Sequence, residues 1–452
     1  MEQLLRVAYF PDTYEEIDGV ANTSRQFEAF ARKRGLPFLI VCGGAQDSVH
    51  LDGSATRITC RRGPIAFHLD KKHRFDLAFW RHYGRVARAV SGFDPDIVHI
   101  TGPSDAGQLG ALVAGRLRVP IAASWHTNLH EYAERRASTL LRALPSGFQE
   151  KAGAAVRQSS LAMLMWFYRF ANVLFAPNPQ LVKMLEKGTG QPVRPMHRGV
   201  DTRLFAPERR DRTDRDFVVG YVGRLTIEKN IRFLAELESS LRQSGLGNVR
   251  FVIVGQGAEE SWLKANMRNA ELPGVLRGEA LARAYANMDG FAFPSRTDTF
   301  GNVVLEALAS GVPAVVTDAG GPQFLVVPGE TGFVARNAAE FVSGVRRLIE
   351  NPEKLEEMRR AARAAALEAS WDKIFEGLYS DYEDRLQLCQ PARRISIKER
   401  FEPNATCKTT ESLRVVDAPG GDFCSGASVD GTGIAHADRD RQPPRKEKPA
   451  AA

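Results

Sequence analysis

Two segments in the second half of this 452-residue chain combine cations, carboxylates and glycines in patterns suited to holding a diphosphate. In the first segment, Gly223 and Arg224 are followed five residues later by Lys229. An arginine binds phosphate through a bidentate fork and a lysine binds it as a point charge. The pair is therefore predicted to neutralise a departing diphosphate, although two cations on a solvated surface would give the same pattern.

The second segment contains Asp298, then Phe300, Gly301 and Asn302, then Glu306. The apolar run 303–308 predicts a helix that begins near Gly301, where free N–H groups attract phosphate oxygens. Glu306 would lie about two turns into this helix and Asp298 in the loop before it. Two carboxylates at this spacing can address different parts of one ligand. The alternative is that the loop merely caps the helix and Glu306 is solvated.

Two further loops contain glycines that would let a ligand approach the backbone. Gly19 lies in the loop after the first apolar run, and Gly255 directly follows the run 251–254. Neither loop has the G-x-G-x-x-G pattern of a dinucleotide-binding site. His126 and His130 are four residues apart, but no third ligand is suitably placed, so zinc is not expected.

Short apolar runs that alternate with helical patterns must position these groups. Such runs predict a mostly parallel sheet covered on both faces in each half of the chain. Ligands bind such sheets beyond the carboxyl ends of the strands, where the four loops lie. The strands are predicted at residues 5–10, 38–41, 97–100, 121–124 and 173–176, and again at 217–222, 250–254, 290–293 and 313–316.

Composition limits the class of protein. A net charge of +7 suits phosphate-bearing ligands or an anionic membrane surface, whereas dispersed lysines and arginines without a nucleic-acid motif argue against nucleic acid. Five scattered cysteines and the absence of a leader or of a spanning apolar run predict a cytoplasmic protein. The basic and apolar stretch 132–170 is predicted to be core in its aromatic part, with a membrane-surface segment as the alternative.

Residues 294–313 resemble the signature of the retaining glycosyltransferases of family 4, which have the GT-B fold of two facing Rossmann-like domains with a cleft between them. Glu306 matches the family's glutamate at the nucleotide ribose, and Asp298 stands, one methylene shorter, where many members have a glutamate at the sugar. The resemblance is strongest to the branch of GDP-mannose-dependent mannosyltransferases and sulfolipid-type synthases. It extends over roughly residues 5–387.

The same resemblance implies roles for the other loops. Arg224 and Lys229 match the diphosphate-binding cations, Gly19 the glycine that faces the donor phosphates, and His126 a histidine near the reacting sugar. The stretch 274–279, with Leu276, matches the loop around the nucleobase. The catalytic residues are thus expected to be His126, Arg224, Lys229 and Asp298. The donor-binding residues are expected to be Gly19, Gly223, Arg224, Lys229, Gly255, Leu276, Asp298, Phe300, Gly301, Asn302 and Glu306.

The resemblance also predicts the domain organisation. Residues 1–200 would form the acceptor-side domain, 201–216 an exposed linker and 217–370 the donor domain. Residues 371–388 would form a helix that crosses back to the first domain. The segment 389–452 is rich in glycine, proline and charge, and is predicted to be a disordered tail.

The expected activity is transfer of a hexosyl group, with mannosyl as one candidate, from a nucleotide diphosphate sugar to an acceptor. GDP-mannose and a UDP-hexose both fit as donor. By analogy, the acceptor is expected to be a lipid or glycolipid, which would place the protein at the inner face of the membrane. No cofactor or obligatory metal is expected. The alternatives are a sugar-nucleotide epimerase on the same fold and a non-catalytic nucleotide-sugar-binding protein.

Overall fold

The structure, a computed structural model, describes residues 4–16, 19–63, 66–68, 74–140 and 146–398. Most of the predicted tail, from residue 399 onward, lies outside these residues. None of the helices in this described part of the chain is both long and apolar enough to cross a membrane.

The first sheet has eight strands in the order β10-β9-β8-β7-β1-β2-β4-β3, and only the edge strand β3 is antiparallel to its neighbour. A separate pair, β5 and β6, is antiparallel. Strands β3 to β6 and β10 were not predicted from the apolar runs of the sequence. The strands are β1 (Val7–Phe10), β2 (Phe38–Gly44), β3 (Ser48–Asp52), β4 (Ala55–Arg61), β5 (Ala66–His68), β6 (Arg74–Asp76), β7 (Ile97–Ile100), β8 (Ile121–Ser124), β9 (Val173–Ala176) and β10 (Val193–Pro195).

Helices cover both faces of this sheet. Successive side chains of a strand point to opposite faces, so apolar residues of one strand contribute to two separate clusters. Val7 and Tyr9 of β1 join one apolar cluster, and Ala8 and Phe10 join the other. The helices of this half are α1 (Gly19–Lys33), α2 (Tyr83–Phe93), α3 (Asp105–Leu117), α4 (Leu129–Leu140), α5 (Ser146–Tyr168) and α6 (Pro179–Thr189).

The second sheet has six parallel strands in the order β13-β12-β11-β14-β15-β16. Residues of these strands and of the neighbouring helices form the largest apolar cluster in the described part of the chain. Its strands are β11 (Val218–Val222), β12 (Arg250–Val254), β13 (Ala270–Gly274), β14 (Gly290–Phe293), β15 (Ala314–Thr317) and β16 (Gly332–Ala335). The helices that follow β10 are α7 (Phe233–Gln243), α8 (Glu260–Asn266), α9 (Gly278–Ala286), α10 (Asn302–Ala309), α11 (Ala338–Glu350), α12 (Pro352–Glu368) and α13 (Trp371–Lys398).

Helix α13 packs on the first sheet although it follows the second in sequence. Trp371, Phe375 and Tyr382 are buried in the cluster that contains Val7 and Tyr9 of β1. These aromatic residues recur at helical spacing, so they form one apolar stripe that returns the chain to the first half. The helix continues to Lys398, beyond the end at residue 388 that the sequence predicted.

The prediction of an exposed linker is wrong for Arg212. Its side chain is buried, and its Nη1 donates to Asp289 Oδ2 at 2.7 Å. Arg210 donates to the other oxygen of Asp289 at 2.9 Å. A buried carboxylate needs charged or hydrogen-bonding partners. Because two arginines of this segment bind Asp289, directly before β14, the segment packs against the second sheet.

The prediction for the aromatic part of 132–170 is correct for one face of α5 only. Leu164, Met165 and Tyr168 are buried in the first half. Met163 and Trp166 are 64% and 60% exposed. The run is therefore amphipathic rather than wholly core.

Candidate active site

Strand order decides where a ligand can bind in each sheet. β1 lies between β2 and β7, and β11 lies between β12 and β14, so successive connections leave these central strands in opposite directions. The loops at such a switch point diverge and leave a crevice at the carboxyl ends of the strands. The loop after β11 contains Arg224 and Lys229, and the loop after β14 contains Asp298.

Lys229 and Asp298 meet across this switch point. Lys229 Nζ lies 2.7 Å from Asp298 Oδ1, and both side chains are largely shielded from solvent. The second oxygen, Asp298 Oδ2, accepts a hydrogen bond from Ser295 Oγ at 2.5 Å. The Lys229 ammonium has three donors, so it can keep Asp298 and still bind a phosphate oxygen.

Arg224 does not join the pair of Lys229 and Asp298 but contacts Glu228. Its Nη2 lies 3.1 Å from Glu228, and its side chain is 45% exposed. An exposed pair of this kind contributes at most about 1 kcal/mol, so it restrains the guanidinium only weakly. The two cations predicted to act together are thus held differently: Lys229 by the β14 loop and Arg224 by its own turn.

The N-terminus of α10 has no side-chain cap. Its N-cap residue is Gly301, with φ +99°, and a Cβ there would lie 2.9 Å from Pro322 Cγ. In the described residues the amides of Asn302 and Val303 have no hydrogen-bond acceptor. Free amides and the helix dipole together favour an anion at this point.

Glu306 lies further along α10 and receives a hydrogen bond from Tyr285. The Tyr285 hydroxyl donates to Glu306 Oε2 at 2.9 Å, and the Tyr285 ring is fully buried between Phe205 and Phe291. Burial raises the pKa of Glu306 from its ordinary value of 4.5 to about 7, and the Tyr285 hydrogen bond opposes that rise. Without a ligand, this carboxyl group therefore holds its proton up to near neutral pH.

The two halves contact one another through Thr299. Its hydroxyl donates to the carbonyl oxygen of His126 at 3.2 Å, and its own carbonyl accepts from Asn178 Nδ2 at 2.8 Å. Asn178 also caps α6, since its Oδ1 accepts from the Leu181 amide. A Cβ on Gly19 would lie 3.2 Å from Asn302 Nδ2, which brings the start of α1 against the start of α10.

His126 is buried in the first half, beside this contact. Its Nδ1 is 3.3 Å from Arg198 Nη2, and its Nε2 has no hydrogen-bond partner in the described residues. Burial first, and then the charge of Arg198, lower the pKa of His126 well below its usual value. The imidazole is consequently neutral at physiological pH.

The remaining predicted residues line the neighbouring loops or support them. Gly255 has φ +143°, and a Cβ there would lie 1.9 Å from the carbonyl oxygen of Gly223, so the loops after β11 and β12 touch backbone to backbone. Leu276 is partly buried against the second core, and Phe300 is buried in it. The side chain of Phe300 thus packs the loop against the core, and its predicted place at the donor stays a prediction.

Sequence reasoning missed several side chains that organise these loops. Ser295 fixes Asp298, Tyr285 fixes Glu306, and Arg198 contacts His126. Asn178 was detectable in principle, because an asparagine directly before Pro179 at the end of a strand is a helix N-cap signal. Ser295 is only three residues from Asp298, but a serine in a loop does not by itself indicate such a bond. Tyr285 and Arg198 have partners 21 and 72 residues away, so no local pattern identifies those contacts.

Two family models match the chain. The model described as "Glycosyltransferase Family 4" matches residues 17–204, and the one described as "Glycosyl transferases group 1" matches residues 203–365. Among solved structures, sucrose-phosphate synthase from Thermosynechococcus elongatus superposes with a TM-score of 0.62 at 17% identity, over 87% of this chain and 100% of that one. Anabaena HepE with UDP and glucose gives a TM-score of 0.57 at 16% identity, over 84% and 99%. These structural likenesses confirm the GT-B fold.

Closer relatives are transferases. A protein named GDP-mannose-dependent alpha-mannosyltransferase from Mycolicibacterium smegmatis is 34% identical over 84% of this chain and 97% of its own. Its namesake from Mycobacterium tuberculosis is 30% identical over 84% and 96%. A sulfoquinovosyl transferase from Arabidopsis thaliana is 27% identical over 81% of this chain and 71% of its own. These matches do not favour the epimerase alternative. The chain belongs to the family 4 glycosyltransferases, and its relatives include alpha-mannosyltransferases.

Proposed function

We propose that this glycosyltransferase moves a mannosyl group from GDP-mannose to a lipid-borne acceptor, with retention of configuration and without an obligatory metal. The donor is chosen because two relatives that are 30% and 34% identical, each over 84% of this chain, are named for GDP-mannose. A UDP-hexose is the competing donor, since HepE holds UDP and glucose on the same fold.

The observation that carries the chemistry is the convergence of positive charge near Asp298. Lys229 is bound to Asp298, and the free amides of α10 begin a few residues later in the same loop. As the bond between the sugar and the diphosphate breaks, negative charge grows on the leaving oxygen. Preorganised cations and amides at that point lower the barrier.

The other residues complete the proposed site. The Nε2–H of neutral His126 would donate to the sugar, Glu306 would accept from the ribose, and Arg224 would swing from Glu228 to the diphosphate. The acceptor hydroxyl would attack from the face that the diphosphate leaves, and its proton would pass to the departing phosphate oxygen. Contact between the halves at Thr299 would exclude water from this step.

Lys229→Ala tests the catalytic role. We expect turnover to fall about 100-fold or more, the loss typical of removing one transition-state donor, with the fold intact. Lys264→Ala is the matched control, because Lys264 lies in the same half but forms an exposed i,i+4 pair with Glu260. Near-normal turnover of the Lys229 variant would contradict the proposal.

The donor and the reaction class need a separate measurement. A thermal-shift screen of GDP-mannose, UDP-glucose and UDP-galactose should show stabilisation by the true donor only, since a ligand that binds the folded state raises its stability. Incubation of that donor without acceptor should return it unchanged. Conversion to another nucleotide sugar would instead support an epimerase, and binding without transfer a non-catalytic protein.

Exposed aromatic side chains support the membrane part of the proposal. Met163, Trp166 and Phe170 are all more than half exposed and recur at i, i+3 and i+7, and the rings of Trp166 and Phe170 lie 5.1 Å apart. Arg169 beside them reaches the Gly188 carbonyl, next to the exposed Lys187. An apolar patch with basic neighbours suits an anionic bilayer surface.

Sedimentation with phosphatidylglycerol vesicles tests this patch. The double variant Trp166→Ala/Phe170→Ala should lose most of the bound fraction, because it removes the largest apolar area from the patch. Leu51→Ala is the control, since Leu51 is 72% exposed on the far edge strand β3. Equal sedimentation of the two variants, or no binding by the wild type, would exclude this surface.

A further inference from the structure

Arg198 connects three parts of the first half at a buried position. It follows β10, and its side chain is almost completely buried. Its Nη1 donates to the Gly19 carbonyl and, at 3.0 Å, to Thr23 Oγ1, both in the first turns of α1. Its Nη2 donates to His126 Nδ1 at 3.3 Å.

We infer that Arg198 is a positioning residue that holds His126 in the tautomer with its proton on Nε2, which leaves that N–H to serve the substrate. This inference rests on the proposed function only for its consequence in catalysis. The tautomer itself is a property of the ligand-free protein.

The chemistry of the two groups fixes the tautomer. A guanidinium only donates hydrogen bonds, so His126 Nδ1 must present its lone pair to Arg198. A neutral imidazole with a lone pair on Nδ1 has its hydrogen on Nε2. Nε2 is buried and lacks a partner in the described residues, so its N–H is left unsatisfied until a ligand reaches it.

The fold fixes the arginine at its backbone end as well. The Val200 amide donates to the Ala369 carbonyl at 3.0 Å. A Cβ on Gly199 would lie 2.7 Å from the Trp371 backbone nitrogen, so the chain here packs directly on the start of α13. Arg198 is therefore held at its backbone where α13 begins and at its guanidinium by α1, with Nη2 directed toward His126.

A lysine cannot reproduce this arrangement, because a single ammonium does not present two nitrogens in a fixed fork. Loss of a group that orients a catalytic residue typically costs about 10- to 100-fold in activity, as for the partners of metal-bound histidines. We expect a loss of this size in kcat for Arg198→Lys and Arg198→Met, with a smaller change in the KM for the donor.

Nitrogen-15 NMR of the full-length protein with labelled histidine tests the tautomer directly. Signals of His126 are assigned by their loss in His126→Gln. The wild type should show a protonated Nε2 and an unprotonated Nδ1, and Arg198→Met should show a mixture of tautomers or the reversed one. Arg363→Lys is the matched control, because Arg363 also spans three acceptors, the carbonyls of Phe205, Ala309 and Thr202, and contacts neither His126 nor α1.

The outcomes separate this inference from the proposed function. A protonated Nδ1 in the wild type, or an unchanged Nε2–H signal in a folded Arg198 variant, would overturn the role of Arg198 even if sugar transfer is observed. If Arg198→Met does not fold, the wild-type spectrum and Arg198→Lys still decide. A wild type with the expected tautomer but no transfer to any acceptor would refute the function and leave the positioning role standing.

Discussion

Glu306 is a partly buried carboxyl group of the second half, and replacing it with glutamine should stabilise the ligand-free protein as the pH rises. Burial raises its pKa from 4.5 to about 7. Each pKa unit is worth about 1.4 kcal/mol, so ionised Glu306 costs the folded state about 3 kcal/mol relative to the unfolded chain. Glutamine has nearly the same shape, still accepts from the Tyr285 hydroxyl and does not ionise.

The pH dependence follows from where the proton is held. The unfolded side chain releases its proton near pH 4.5, whereas the folded one keeps it to about pH 7. The folded state therefore binds more protons in this interval, and the free energy of unfolding falls as the pH rises through it. Between pH 5.5 and 8, the stability advantage of Glu306→Gln over the wild type should grow by about 2 kcal/mol.

Urea unfolding at the two pH values measures this difference by linear extrapolation. Glu350→Gln on α11 is the control, because it removes a carboxylate from an exposed pair with Arg346 and should change stability by no more than about 0.5 kcal/mol at either pH. An advantage of Glu306→Gln that stays constant or shrinks with rising pH would refute the raised pKa of this carboxyl group. The same variant should bind the donor more weakly, since a ribose hydroxyl loses a charged acceptor worth about 1.5–3 kcal/mol.

Two other substitutions probe the supports of the site. Gly301→Ala places a Cβ 2.9 Å from Pro322 Cγ at a positive φ, so it should distort the start of α10. Donor binding measured by calorimetry should weaken at least tenfold, about 1.4 kcal/mol. Unchanged affinity would mean that the α10 amides do not bind the donor. Asp289→Ala leaves Arg210 and Arg212 without their shared carboxylate. The free energy of unfolding in urea titrations should fall by about 3–5 kcal/mol. A loss below about 1 kcal/mol would show that the placement of residues 207–216 does not depend on Asp289.

The site residues divide into those that local sequence could identify and those that it could not. The loop with Arg224 and Lys229 and the loop with Asp298 and Gly301 each carry their chemistry within a few residues. Their positions at strand ends follow from the apolar runs before them. The roles of these residues remain predictions, but their places at the switch point of the second sheet were foreseeable.

Long-range contacts decided the rest. Arg198 and His126 are 72 residues apart, and Thr299 and His126 are 173 apart, so no spacing rule connects them. The sequence also could not distinguish the buried Arg212 from a solvated arginine, because a buried Asp289 is what makes the difference. Likewise, the exposed face of α5 at Trp166 depends on which side of the helix the first core covers.

Most strands and helices, and the glycines and charges at the strand ends, could be predicted from the chain alone, because short-range sterics and apolar periodicity produce local patterns. The family followed from the resemblance of residues 294–313 to a known signature. Contacts between distant residues decide which loops face one another, which carboxyl groups are buried and which histidine nitrogen lacks a hydrogen-bond partner in the described residues. The physical reason is that strand order and burial arise from contacts between residues far apart in the chain, and pKa values and tautomers respond to those surroundings rather than to neighbours in sequence.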